Sequence, residues 1–182
     1  MKRFVGLIVV TVLVVAGVVL WRASVAVHAD DDSSLMTEAH ITRIRSNCAE
    51  AQSTLSQLHA SDALLRVNRG QVYESISTEL MAPLNSRLAS NQVGDANLVT
   101  IANAYDNELA AFRTAYQVYE ESMSQVLEIN CTNEPVSFYD AVADARTKRN
   151  AVYQSTQTLK TTIQDYENEF EVFAKNFQGS HS

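Results

Sequence analysis

Residues 98–130 read LVTIANAYDNELAAFRTAYQVYEESMSQVLEIN, and this stretch decides the fold. Apolar side chains recur at alternating spacings of four and three: Leu98, Ala102, Tyr105, Leu109, Phe112, Tyr116, Tyr119, Met123, Val126. That is the heptad signature of a long amphipathic helix that packs along one stripe. Asp95, after the break at Gly94, suits the cap of this helix.

Working outward, the same rhythm appears on both sides. Toward the C-terminus it runs through Phe138, Val142, Ala145, Arg149, Val152, Thr156, Leu159, Ile163, Tyr166, Phe170, Phe173 and Phe177. Pro135 fits the first turn of that helix, and Gly179 is expected to end it. Toward the N-terminus, Ile41, Ile44, Cys48, Ala51, Leu55 and Leu58 keep the rhythm, and Asp62, Leu65, Arg69, Val72 and Ile76 continue it. This predicts one helix from about Ser34 to Ser90, with the stripe in constant phase across Gly70. A break at Asn68-Arg69-Gly70 would give four helices instead of three. Pro83 should bend or end the helix near Ala82. The polar stretches 90–95 and 130–135 are the turns. The expected fold class is all-α: an N-terminal transmembrane or signal helix, then an elongated antiparallel three-helix, or four-helix, coiled-coil-like bundle.

Residues Phe4 to Trp21 read FVGLIVVTVLVVAGVVLW, with Lys2 and Arg3 ahead and Asp30, Asp31 and Asp32 behind. Apolar residues flanked by charge in this order make an export signal or a membrane anchor, with the N-terminus in the cytoplasm and the rest outside. Both readings stand. The run is longer than a typical signal core and reaches the lower edge of a spanning helix. Val27-His28-Ala29 also suits a signal peptidase, which would leave Asp30 as the first residue. The organisation expected is therefore a signal or anchor (1–29), a membrane-proximal stalk (30–47), a bundle (48–178) and a flexible tail (179–182).

Three of the 14 basic side chains precede Asp30, and none of the 21 acidic ones does, so residues 30–182 carry a formal charge of −10. Nucleic acid and anionic lipid want the opposite sign, so no nucleic-acid partner is expected. The membrane, through residues 4–21, is the one expected partner with an address. The protein partner is unknown, and long heptads can pack between chains, so a homo-oligomer is compatible.

Cys48 and Cys131 are the only cysteines. Their midpoint lies near position 90, close to the turn at 90–95, as it should for facing positions of an antiparallel hairpin. A disulfide is expected between them, in keeping with an exported domain. The alternative is a pair of buried thiols.

Asp62, Arg69 and Arg149 fall at core positions of their heptads, where charge is normally excluded. Helix three should run parallel to helix one, placing Arg149 level with position 65. An Asp62–Arg149 ion pair is expected, with Tyr116 or Tyr119 as hydrogen-bond neighbour. This buried polar layer would fix helix register. The sharper reading is a small anion or carboxylate site lined by Arg69, Arg149 and tyrosines. The aromatic stripe, including Tyr105, Tyr153 and Tyr166, reads as core. Phe173 and Phe177, near the distal end, are expected to form a partner surface if exposed. Four scattered histidines, no His-Glu-x-x-His, no Gly-x-Ser-x-Gly and no phosphate loop give no catalytic residue, no metal site and no cofactor. In outline the chain resembles the extracytoplasmic four-helix sensor domains of chemoreceptors. That resemblance covers shape only and brings no residues with it. The function expected is that of a non-enzymatic envelope scaffold or protein-interaction module. The alternative is a ligand-binding accessory domain.

Overall fold

Good helix formers and scarce glycine and proline give an all-helical chain, and no strand occurs among the described residues. The computed structural model describes residues 36–180, so the expected membrane or signal segment and the last two residues lie outside it. The elements are α1 (Glu38–Ser46), α2 (Cys48–Ser75), a π-helical stretch (Ile76–Met81), α3 (Ala82–Ser90), α4 (Ala96–Glu128) and α5 (Pro135–Ser180). From Cys48 to Ser90 the helix is unbroken, so the described residues form four helical rods.

Pairs of residues fix how the rods lie. Gln52 Nε2 donates to Ile129 O (3.0 Å), Tyr119 Oη to Asp62 (2.7 Å) and Tyr105 Oη to Tyr73 O (3.0 Å). One partner's number rises as the other's falls, so α2 and α4 are antiparallel. Ser122 to Asp144 (3.0 Å) and Thr162 to Glu108 (2.6 Å) show the same for α4 and α5. Arg45–Thr132 and Asp62–Arg149 are each offset by 87, and Asn85–Tyr166 by 81, so α5 runs parallel to the first arm.

The stripe of α4 is buried as its spacing predicts: Leu98, Tyr105, Leu109, Phe112, Tyr116, Tyr119, Met123 and Val126 are all core. Two clusters result. A basal one gathers Cys48, Tyr119, Met123, Val126, Cys131 and Phe138. A distal one gathers Met81, Leu98, Tyr105, Phe112, Leu159 and Tyr166. Cys48 and Cys131 form a disulfide with Cα atoms 5.5 Å apart, closing the basal end.

The first arm departs from expectation in four ways. It breaks at Asn47 (φ −108°, ψ 13°), whose side-chain amide and backbone N–H both bond to Arg43 O. Asparagine competes with its own helix in this manner. Ahead of the break, α1 is not a free stalk: Ile44 packs on the basal cluster and Arg45 Nε donates to Thr132 O (3.2 Å). Of the two outcomes expected at Pro83, a bend or an end, the end does not occur. Proline has no N–H, and its ring crowds the carbonyl four residues back. The helix widens instead, and Ala82 N–H reaches Ser77 O, five residues back.

The fourth departure is phase. A straight helix drifts about 20° per heptad, so across the five heptads from Ile41 to Ile76 the stripe moves by about 100°, one residue position. Tyr73 therefore packs on Phe112 and the distal cluster where Val72 was expected, and Arg66 reaches from an exposed position over the Tyr116 ring. Leu65, Arg69 and Val72 are exposed.

The turns are chemically specified. Asp95 accepts from Asn97 N (2.8 Å) and Leu98 N (3.0 Å), capping α4. The left-handed residue that closes α3 is Gln92 (φ 58°), not Gly94. Its N–H bonds to Ala89 O and that of Val93 to Leu88 O, a Schellman closure. Gly179 stays helical within α5 rather than ending it.

Candidate functional site: a cleft between the first arm and α5

Between the two core clusters, α2 stands away from α5 and leaves a cleft of about 160 Å³. Its floor is Phe112, Tyr116 and Tyr119 on α4. One wall is Asp62, Leu65, Arg66 and Arg69 on α2; the other is Arg149, Val152, Tyr153 and Thr156 on α5. Leu65 and Arg69, though exposed, line the cleft without closing it.

Asp62 closes the basal end. Arg149 donates to it through Nε (2.6 Å) and a terminal nitrogen (3.0 Å), and Tyr119 Oη donates at 2.7 Å. The Asp62 side chain is 11% exposed and that of Arg149 50%. The expected buried layer is therefore a rim: the carboxylate is sheltered, and the long guanidinium reaches to it from solvent. Burial alone would raise the Asp62 pKa, but the bonds from Arg149 and Tyr119 and the charge of Arg149 outweigh it and hold the carboxyl below its usual value. Burial, then the bond to Asp62, pushes the Tyr119 hydroxyl well above its ordinary range, so it stays a donor.

Tyr116 does not join this group. Its hydroxyl donates to Glu120 (2.7 Å), one turn along the same helix, and Glu120 also meets His59 Nε2 (2.6 Å). Arg66 lies over the Tyr116 ring, 4.9 Å from its centroid. Arg69 touches neither Asp62 nor Arg149 and has no ion pair or hydrogen bond among the described residues. It remains a lining residue of the cleft. Tyr153, expected as core, is exposed at the cleft mouth.

Sequence reasoning missed Arg66, His59 and Glu120. The Tyr116/Glu120 spacing of four residues was a readable signal for their bond. The Arg66 contact could be found only after correcting the phase of α2. Phe173 is half-buried against the distal cluster, and Phe177 stacks on it at 6.0 Å while remaining exposed. Of the expected distal surface, then, one ring belongs partly to the core.

No family model, curated protein or solved structure matches the chain.

Proposed function

We propose that this protein is a non-enzymatic helical-bundle interaction module of the cell envelope. It is held to the membrane through residues 4–21 or released after cleavage following Ala29. In this reading α1 to α3 act as one interrupted arm of an antiparallel three-helix, coiled-coil-like bundle. The basal disulfide and the Asp62–Arg149 junction hold that arm in place.

One observation carries the reading. The middle of the first arm leaves Leu65, Val72 and Leu80 exposed, with Val72 56% accessible, in a strongly acidic domain. They recur along the helix at close to heptad spacing, and Val72 and Leu80 border a groove with Asn68, Gln71, Ile76 and Glu79. A row of this kind, about four turns long, fits an amphipathic helix of an envelope protein, whose apolar anchors would fall one and two turns apart. Glu79 flanks the row and supplies a charge on which register could be set.

A photo-crosslinking amino acid placed at position 72 tests this in the native envelope, with the exposed position Thr158 on α5 as control. The expected result is one discrete adduct from position 72, absent from position 158 and lost when Leu65 and Leu80 are both changed to Glu. The same adducts from both positions, or none from position 72, would remove the reading.

A further inference from the structure

We infer that the cleft between α2 and α5 is a binding site for a small single-ring aromatic carboxylate. The cleft shares Leu65 with the docking row, but its test concerns the unaccompanied chain.

Size sets the first limit. A cavity of about 160 Å³ is close to the roughly 150 Å³ that holds one benzene ring in a protein interior. Wall chemistry sets the second. Phe112 and Val152 give apolar surface, and the Tyr153 ring stands exposed at the mouth. The hydroxyls of Tyr116 and Tyr119 are already engaged, with Glu120 and Asp62, so both present ring surface more than hydrogen-bonding tips. Such a floor selects a flat apolar body.

Charge sets the third limit. Three arginines and one aspartate line the cleft, a net positive spot within a domain of formal charge −10. Arg149 is engaged by Asp62, and Arg66 leans on the Tyr116 face. Arg69 alone is uncommitted among them, and it can meet one carboxylate with its planar fork. A ligand amine would meet one carboxylate, Asp62, which already receives three hydrogen bonds from Arg149 and Tyr119, and it would lie among three arginines. The site therefore favours arene or arylacetic acids over aromatic amines.

Titration of the purified full-length chain in detergent with phenylacetate, acetate and phenethylamine, followed by calorimetry, tests this. Phenylacetate should bind saturably, while acetate and phenethylamine should not. Arg69→Gln should weaken phenylacetate about tenfold or more, whereas Arg87→Gln, on α3 outside the cleft, should leave it unchanged. Arg69 is exposed and unbonded, so its loss leaves the fold intact. No saturable phenylacetate binding up to roughly 10 mM would overturn the inference. So would equal binding of acetate or of the amine, or affinity that survives Arg69→Gln.

Discussion

Asp62 is the residue on which the most local structure depends. Its carboxylate receives three hydrogen bonds from two other helices. Asp62→Ala should destabilise the protein by about 1–3 kcal/mol, read as a lower urea midpoint. Most of that loss comes from the Tyr119 hydroxyl, left buried without an acceptor. The ion pair itself adds little, because Arg149 is half solvated and screened. The pH dependence follows from the lowered pKa of Asp62. A group depressed in the folded state stabilises above its unfolded pKa, about 4, and that contribution fades as pH falls through the folded value. The melting-temperature gap between wild type and Asp62→Asn should be constant above about pH 5 and shrink below about pH 4. A gap that widens on acidification would contradict the assignment. The Asp62–Arg149 pair was legible in the sequence, because charge at a heptad core position needs a partner and parallel register supplied one, whereas the choice between Tyr116 and Tyr119 as its neighbour was not. The failure of Arg69 to join was not legible, since one misplaced residue of phase moves a side chain by about 100°.

At the scale of elements, α4 and α5 were legible nearly in full, and the first arm was not. The difference is packing. The α4 stripe is covered from both sides, so its spacing has one solution. The first arm is covered in part, and Asn47 and Pro83 each alter its course without a change in hydrophobic pattern. Two substitutions probe this arm. Gly70→Ala adds a methyl group into open space within a continuous helix and should stabilise by about 0.5–1 kcal/mol. Gln92→Gly relieves a left-handed residue at the α3 closure and should raise the melting temperature by a comparable free energy, about 1 kcal/mol. A fall in stability from either variant would mean that the helix breaks at Gly70, or that the turn closes differently. The π-helical stretch has its own signature. It brings Met81 fully into the distal core, so Met81→Ala should cost about 2–5 kcal/mol, whereas Leu80→Ala, at an exposed position, should cost far less.

For the whole molecule, the decisive constraint is the Cys48–Cys131 link, which spans 83 residues and joins the start of α2 to the turn after α4. In chain-entropy terms such a closure stabilises by about 4–5 kcal/mol, an upper figure. Both cysteines are buried, so reduction should be slow in the native state and fast in urea. The link fixes the hairpin register at the basal end, and a structural disulfide is in keeping with the exported location proposed above. The direct test is peptide mass spectrometry on protein recovered from the cells that make it, alkylated with and without reduction. The account predicts a single Cys48–Cys131 linked pair, with alkylation of either cysteine only after reduction. Free alkylation of both thiols without reductant, or linkage between chains, would contradict it.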